Sequence, residues 1–467
     1  MKDYKKYFIF VIAVLAVGCA NQIPPSGGDE DKTPPKIVKV EPNENSLHVS
    51  GREILLEFSE FVDRRSFQDA IKIYPVSKEV PEFNWSGKSV EVKFSKSFKE
   101  IFPNKTIIVS INNSFRDING NQLTEPISFA FSTGGVLDSA TISGKVYNHI
   151  GKIISVYAYR IINESSFNPT INLSDYTTQT NTDGSYVLNY LAPGNYKLVA
   201  LEDDDRNFLY TEGRENFGVL SSDVNLGINV SIVNKNFYIN QVNQSNLVSP
   251  ELDYKNYFPD SVGIISTSIS YGTRAVLPEQ SIFIFFNKHK PSRESLPSIF
   301  KLQDEYLQDE KLIFNWRNDS LVEIFSVNKF SAGRSYNLSI KLPVSKDSVY
   351  KFNLKFKTLS VNSFGDVKGI VQGVDAQREL PVVFSLSLLD SKPEKTFSSQ
   401  SFDTVFTISK LPEGDYSMFS FIDSDNSGTF DFGLIVPFRF SEPFYVYPSK
   451  LQVKAGWSTE NVLINFK

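Results

Sequence analysis

At 467 residues the chain is too long for one hydrophobic core and calls for roughly three or four domains at ~100–150 residues each. Forty-eight basic against 53 acidic residues leave a net charge of −5, without the basic footprint that nucleic acid requires. A single cysteine excludes internal disulfides and any site built from several thiolates.

The chain opens with a basic segment (Lys2, Lys5, Lys6) and an apolar run from Tyr7 to Val17, too short to span a bilayer, which takes about 20 residues. Small residues precede the lone cysteine in "AVLAVGCANQ". The pattern resembles a bacterial lipoprotein signal peptide over residues 1–18, which implies that Cys19 becomes the lipidated first residue of the mature chain. The leucine that such signals place at −3 stands at −4 here (Leu15), with Ala16 at −3. The alternative is an ordinary secretory signal in which Cys19 has no role. Residues 19–32, rich in Pro, Gly and charge and lacking an apolar face, read as a tether.

From there the pattern is that of strands. "KSVEVKF", "KTIIVSI" and "ISFAFST" alternate apolar and polar residues and are bounded by Gly, Pro, Asn or Asp, and no long helical period occurs. The expected fold is all-β, a tandem array of four β-sandwich domains. With no disulfides available, each sandwich must rely on its aromatic core, supplied by 39 Phe and 21 Tyr.

The sequence also repeats at long period. "FNWSGKSVEVKFSKSF" from Phe83 recurs as "FNWRNDSLVEIFSVNKF" from Phe314, so Trp85 answers to Trp316. "ILLEFSE" (Ile54) matches "IFIFFNK" (Ile282), and "FAFST" (Phe129) matches "LKFKT" (Leu354). A second unit lies between: "LAPGNYKLVALED" from Leu191 aligns without a gap on "LPEGDYSMFSFID" from Leu411. The organisation is therefore A (33–135), B (139–235), A′ (255–360) and B′ (363–467), with "NQVNQSNLVSPELDYKNYFPD" linking B to A′.

Unit A, on "TPPKIVKVEPNENS", "ILLEFSEFVD" and "INNSFRDINGNQL" before "FAFST", resembles the bacterial Ig-like domain of Bacteroidota surface lipoproteins. A′ lacks equivalents of Asp117, Asn119 and Gly120, so its last hairpin is expected to be rebuilt. Unit B, on "TNTDGSYVLNYLAPGNYKLVAL", resembles the carboxypeptidase-regulatory-like (transthyretin-like) sandwich, a module without peptidase chemistry. Asp183-Gly184 suits a tight hairpin turn; B′ lacks "DGSY", which leaves its first hairpin open.

Catalytic patterns are missing. His48, His149 and His289 lie in unrelated contexts, and no H-E-x-x-H, G-x-S-x-G or G-x-x-x-x-G-K-[ST] occurs. A glycoside hydrolase needs only two carboxylates but usually a larger fold than these modules. The expectation is that the protein is not an enzyme.

One stretch has ligand spacing. In "DSDNSGTFD", Asp423, Asp425, Ser427, the Thr429 carbonyl and Asp431 follow the first nine positions of an EF-hand-type calcium loop, with Gly428 at the sharp turn. The twelfth position holds Leu434 instead of Glu, and an Asx-turn loop without an ion reads equally from these residues. The equivalent "DDDRNFLYT" keeps Asp203, Asp205 and Asn207 but has Phe208 and Thr211 where the glycine and last Asp belong, and reads as metal-free. No other cofactor is implied.

Five Asp-Ser/Thr-apolar triplets, at Ser139, Ser261, Ser320, Ser348 and Thr404, fit the acceptor of periplasmic O-glycosylation in Bacteroidota. The leader and the Ig-like resemblance together imply a non-catalytic, lipid-anchored outer-membrane protein. As partners they imply a β-barrel and other subunits of an assembly, import or secretion machine. The alternative is a surface adhesin or glycan binder; Trp85 and Trp316 read as core residues, and only Trp457 is unmatched. The family resemblance favours the cell surface, although "DED" (Asp29 to Asp31) lies further from Cys19 than surface-export signals usually do.

Overall fold

A computed structural model describes residues 30–162, 167–241, 263–286, 291–318, 320–345, 348–374, 379–389, 391 and 395–466. Cys19, Ser261 and His289 lie outside them. The fold is all-β, four sandwiches in tandem along the chain, and it divides into two compact units, residues 1–138 and 139–467.

In the first unit one sheet has the order Ile37–Glu41, Glu53–Phe58, Ser89–Lys93, Glu82–Ser86, and a second has Ile71–Tyr74, Thr106–Ile111, Ile127–Ser132. Strand alternation places Ile54, Leu56 and Phe58 inward against Val90 and Val92. The helix Arg64–Ala70 closes the core with Phe67 and is capped by Asp63, whose carboxylate accepts the amides of Arg65 and Ser66. Trp85 packs on this core, stacked on Phe58 with centroids 6.3 Å apart and edge-on to Phe67 at 5.5 Å.

The second unit contains the repeat of this sandwich. Ile264–Thr267, Ile282–Phe286, Leu321–Ser326, Leu312–Trp316 reproduce the four-stranded order, and even the register: Trp85 lies opposite Val90, and Trp316 opposite Val322. The other sheet differs. Where the first unit inserts residues 112–126 between its last two strands, Ser335–Ser345 and Ser348–Thr358 pair directly as one long hairpin.

The remaining two sandwiches share a topology, except that one long parallel strand, Ser458–Asn465, stands in the later module where the earlier has two short ones, Ser231–Ile232 and Phe237–Tyr238. In one, Tyr176–Gln179, Ser155–Arg160, Gly194–Leu201 and Phe217–Val219 form a sheet, with Val224–Leu226 also on Gly194–Leu201. In the other the same places are taken by Lys395–Ser401, Val382–Leu388, Gly414–Ile422, Phe444–Val446 and Leu451–Val453. The opposing sheets centre on Ala140–Tyr147 and Phe364–Gln372, each with a parallel neighbour from the end of its module. Asp183-Gly184 does not close a hairpin. The strands on either side of it, Tyr176–Gln179 and Ser185–Leu191, pair with Ser155–Arg160 and Ala140–Tyr147 in different sheets, so this turn carries the chain across the sandwich.

These two modules, separated in sequence by a whole Ig-like repeat, dock on each other. Tyr157, Tyr159, Val199 and Leu201 point away from their own core and form a second cluster, with Tyr210, Phe217, Val219 and, from the later module, Ile435 and Phe438. Ser441 donates its hydroxyl to the Val219 carbonyl at 3.0 Å and its amide to Leu220 at 3.2 Å. Tyr238 lies 4.6 Å from Phe419 and 5.7 Å from both Phe430 and Phe444. Lys197, 5% exposed, pairs with Asp223 at 2.8 Å and sits 4.8 Å from the rings of Phe438 and Phe440. A sheet buried on both faces explains why Gly194–Leu201 reads as an almost continuous apolar run.

Candidate functional site

The chemistry-bearing residues gather where the long strands Gly194–Leu201 and Gly414–Ile422 run out into loops. In the later module Asp423, 1% exposed, accepts the amides of Ser427 (3.0 Å) and Gly428 (2.9 Å), and Asp425 accepts Ser427 at 3.0 Å. The turn needs left-handed backbone at Asn426 (φ 56°) and Gly428 (φ 73°).

Only part of the sequence-predicted ligand set converges. Asp431 is held away by an ion pair with Arg439 and by the Gly433 amide at 2.9 Å. The Thr429 carbonyl accepts the Ser427 hydroxyl at 2.9 Å. The third carboxylate beside Asp423 and Asp425 is Glu442, with oxygens of all three within 4.8 Å. Glu442 accepts the Ser424 amide at 2.5 Å and the Asp431 amide at 3.0 Å. Burial, with Asp423 and Asp425 adding repulsion, pushes its carboxyl up to about 7 against the pull of the Ser424 amide.

The earlier module builds the same loop. Asp203 accepts the amides of Asn207 (3.2 Å) and Phe208 (3.1 Å), and Asp205 accepts Asn207 at 3.1 Å. Phe208 takes the place of Gly428 and adopts the same left-handed turn (φ 64°), its ring packed among the inter-module aromatics. A phenylalanine there does not abolish the turn, because that packing holds a conformation its backbone disfavours. The third carboxylate is Glu215, 4% exposed, with oxygens of Asp203, Asp205 and Glu215 within 4.8 Å of one another. Its Oε2 accepts the Thr211 amide at 2.8 Å. Burial pushes this carboxyl up to about 7, the Thr211 amide opposes the shift, and Asp203, Asp205 and Asp204 reinforce it.

Neither glutamate was visible from spacing. Both return from beyond the loop on the segment leading to the next strand, at different sequence distances, and no linear ligand pattern spans them. A third trio, Asp31, Glu60 and Asp117, occurs in the first unit; there Asp117 accepts both the amide and the Nδ2 of Asn121 at 2.8 Å.

The other candidates are dispersed. Ser139 is exposed and donates to Asn229 Oδ1 at 2.7 Å; Ser320 and Thr404 are half-buried in turns; Ser348 begins the strand Ser348–Thr358. His48 is exposed, and His149 bonds the Lys152 carbonyl through Nδ1 at 2.9 Å. Trp457 is 74% exposed. Among the described residues, no helix is long and apolar enough to cross a membrane.

Residues 31–133 match the bacterial Ig-like domain family. No curated protein matches the chain. Among solved structures, the TIE protein of Bacillus anthracis is 10% identical, with 94% of this chain and 76% of that one covered and a TM-score of 0.15. BcpA, the major pilin subunit of Bacillus cereus, is 9% identical, with 71% and 99% covered and a TM-score of 0.15. An L,D-transpeptidase from Mycobacterium smegmatis is 15% identical, with 34% and 76% covered and a TM-score of 0.17. At these scores no functional argument passes from them to this chain.

Proposed function

We propose that the protein is a non-catalytic, lipid-anchored outer-membrane subunit, held by Cys19 and facing the cell surface, that scaffolds a larger complex built around a β-barrel. We read the two sandwiches of shared topology as carboxypeptidase-regulatory-like modules, and the chain as a Bacteroidota lipoprotein. The observation that carries the scaffold reading is the docking of modules that are remote in sequence. Tyr157, Tyr159, Val199 and Leu201 are buried together with Ile435 and Phe438 of the later module, and preorganisation of this kind lowers the entropic cost of holding partners in fixed register.

Mass-resolved purification in mild detergent, through a tag on the native protein, tests this. A fixed-stoichiometry complex with a β-barrel outer-membrane protein is expected, and a lone monomer at native expression level would overturn the scaffold. Cys19→Ser should release the protein from the membrane, because several acyl chains at about 0.8 kcal/mol per buried CH₂ make a stable anchor where one is marginal. Cleavage by protease added to intact cells tests the surface orientation. The second reading, an adhesin or glycan binder, draws its support from the exposed Trp457; loss of surface binding in Trp457→Ala, with the complex intact, would favour it.

A further inference from the structure

We propose that the loop running from Asp203 to Glu215 binds a divalent cation, calcium by preference, through the carboxylates of Asp203, Asp205 and Glu215. Oxygens of the three lie within 4.8 Å of one another, and among the described residues no lysine or arginine forms an ion pair with any of them. Lys152 pairs with Glu202, which also accepts Asn216 Nδ2 at 2.8 Å.

An acidic cluster alone is common on protein surfaces, and the second observation concerns Glu215. It is 4% exposed, and its Oε1 is sealed from solvent without a hydrogen-bond partner among the described residues, whereas Oε2 accepts the Thr211 amide. A buried carboxylate oxygen with no donor is costly. Donors beside the group serve the aspartates: Tyr157 donates its hydroxyl to Asp203 Oδ2 at 2.7 Å, and the Asn207 and Phe208 amides point at Asp203. A cation between the three carboxylates satisfies this oxygen and removes their mutual repulsion.

The donor set consists of oxygens alone, which selects a hard cation over zinc or copper. Carboxylates carried on an irregular loop suit the variable coordination of calcium better than the strict octahedron of magnesium. In the later module both oxygens of Glu442 accept amides, whereas Glu215 accepts one through Oε2 alone. By spacing the later copy is the closer match to a calcium loop, because it keeps the glycine and the last aspartate that the earlier copy lacks.

The test is calcium titration of the chelator-stripped mature chain, followed by calorimetry and by terbium luminescence sensitised through Tyr157. Wild type is expected to bind with a Kd on the order of 10⁻⁴–10⁻³ M. Glu215→Gln should lose one equivalent, or weaken it by at least about tenfold, while Glu442→Gln retains that equivalent. In chelator the Glu215→Gln protein should melt above wild type, since the buried charge is gone, and in calcium below it. Should Glu215→Gln fail to fold, Asp205→Asn, at an exposed position, gives the same loss of binding. No binding by wild type, equal stoichiometry and affinity in both variants and wild type, or preference for magnesium would each overturn the assignment.

Discussion

The two modules of shared topology differ less in architecture than in what each does with the same residues. Both begin a long strand with a glycine, and both place a tyrosine two residues later whose hydroxyl reaches back to a backbone carbonyl: Tyr196 to Ala192 at 2.6 Å, Tyr416 to Pro412 at 2.7 Å. One residue further along they part. Lys197 is buried under the rings of Phe438 and Phe440, whereas its counterpart Ser417 is exposed. The loops that follow repeat the contrast: Glu442 is fully hydrogen-bonded, and Glu215 keeps an oxygen without a donor. Both copies keep the buried tyrosine, while the earlier one carries the buried lysine at its docking face and the glutamate oxygen without a donor.

The equivalence of the cores can be broken at the tyrosines. Tyr196→Ala and Tyr416→Ala should each destabilise their own module by about 3–5 kcal/mol, as for other large buried aromatics, seen as loss of the corresponding transition in calorimetry. Unequal losses would show that one core leans on the inter-module contact. The Phe variants remove only the hydroxyl and leave the carbonyl unpaired, at about 1–3 kcal/mol; equal costs in both would sharpen the equivalence.

Lys197 contributes a charged contact to the docking face. Lys197→Met keeps the apolar stem and removes the charge, so the cation–π contact and the Asp223 pair go together, for about 1–2 kcal/mol. The two modules should then melt in separated transitions. Ser417→Ala, at an exposed site, should change nothing by comparison.

The loops differ at one backbone position. Gly428→Ala has open space for its Cβ but forces a left-handed residue to carry one, at about 1 kcal/mol. Phe208 already bears that cost, so Phe208→Gly should relieve the backbone yet still destabilise, through lost packing, as measured by chemical denaturation.

The smallest effect concerns acid. The Ser185 hydroxyl and amide hold the Asp183 carboxyl below its ordinary range. A depressed carboxylate stabilises above its unfolded value near ~3.9 and loses that contribution as pH falls through the folded value. With most of the side chain in solvent, the amount is a few tenths of a kcal/mol at about the level of other surface interactions. Asp183→Asn should flatten the stability of the earlier module between neutral pH and acid by that amount.

Alternation and the repeated strings were enough to place the strands. "ILLEFSE" and "IFIFFNK" become paired-for-paired strands, and Trp85 and Trp316 land in the same register, because burial on one face of a sheet imposes a period of two that survives duplication. Asp423 and Asp425, with Asp203 and Asp205, were equally legible, since short-range side-chain-to-amide bonds build the loop from adjacent residues. The tertiary structure alone decided the rest. Asp183-Gly184 has the composition of a hairpin turn but joins two sheets, because strand partners are chosen by the whole sandwich. Glu215 and Glu442 enter their sites from segments whose path is set by the next strand, and Asp431 leaves because Arg439 competes for it. That two modules separated by a whole domain share a buried aromatic face is likewise invisible in the sequence. An apolar residue facing outward from a sheet reads the same whether a partner or solvent covers it, and only the folded chain brings that partner near.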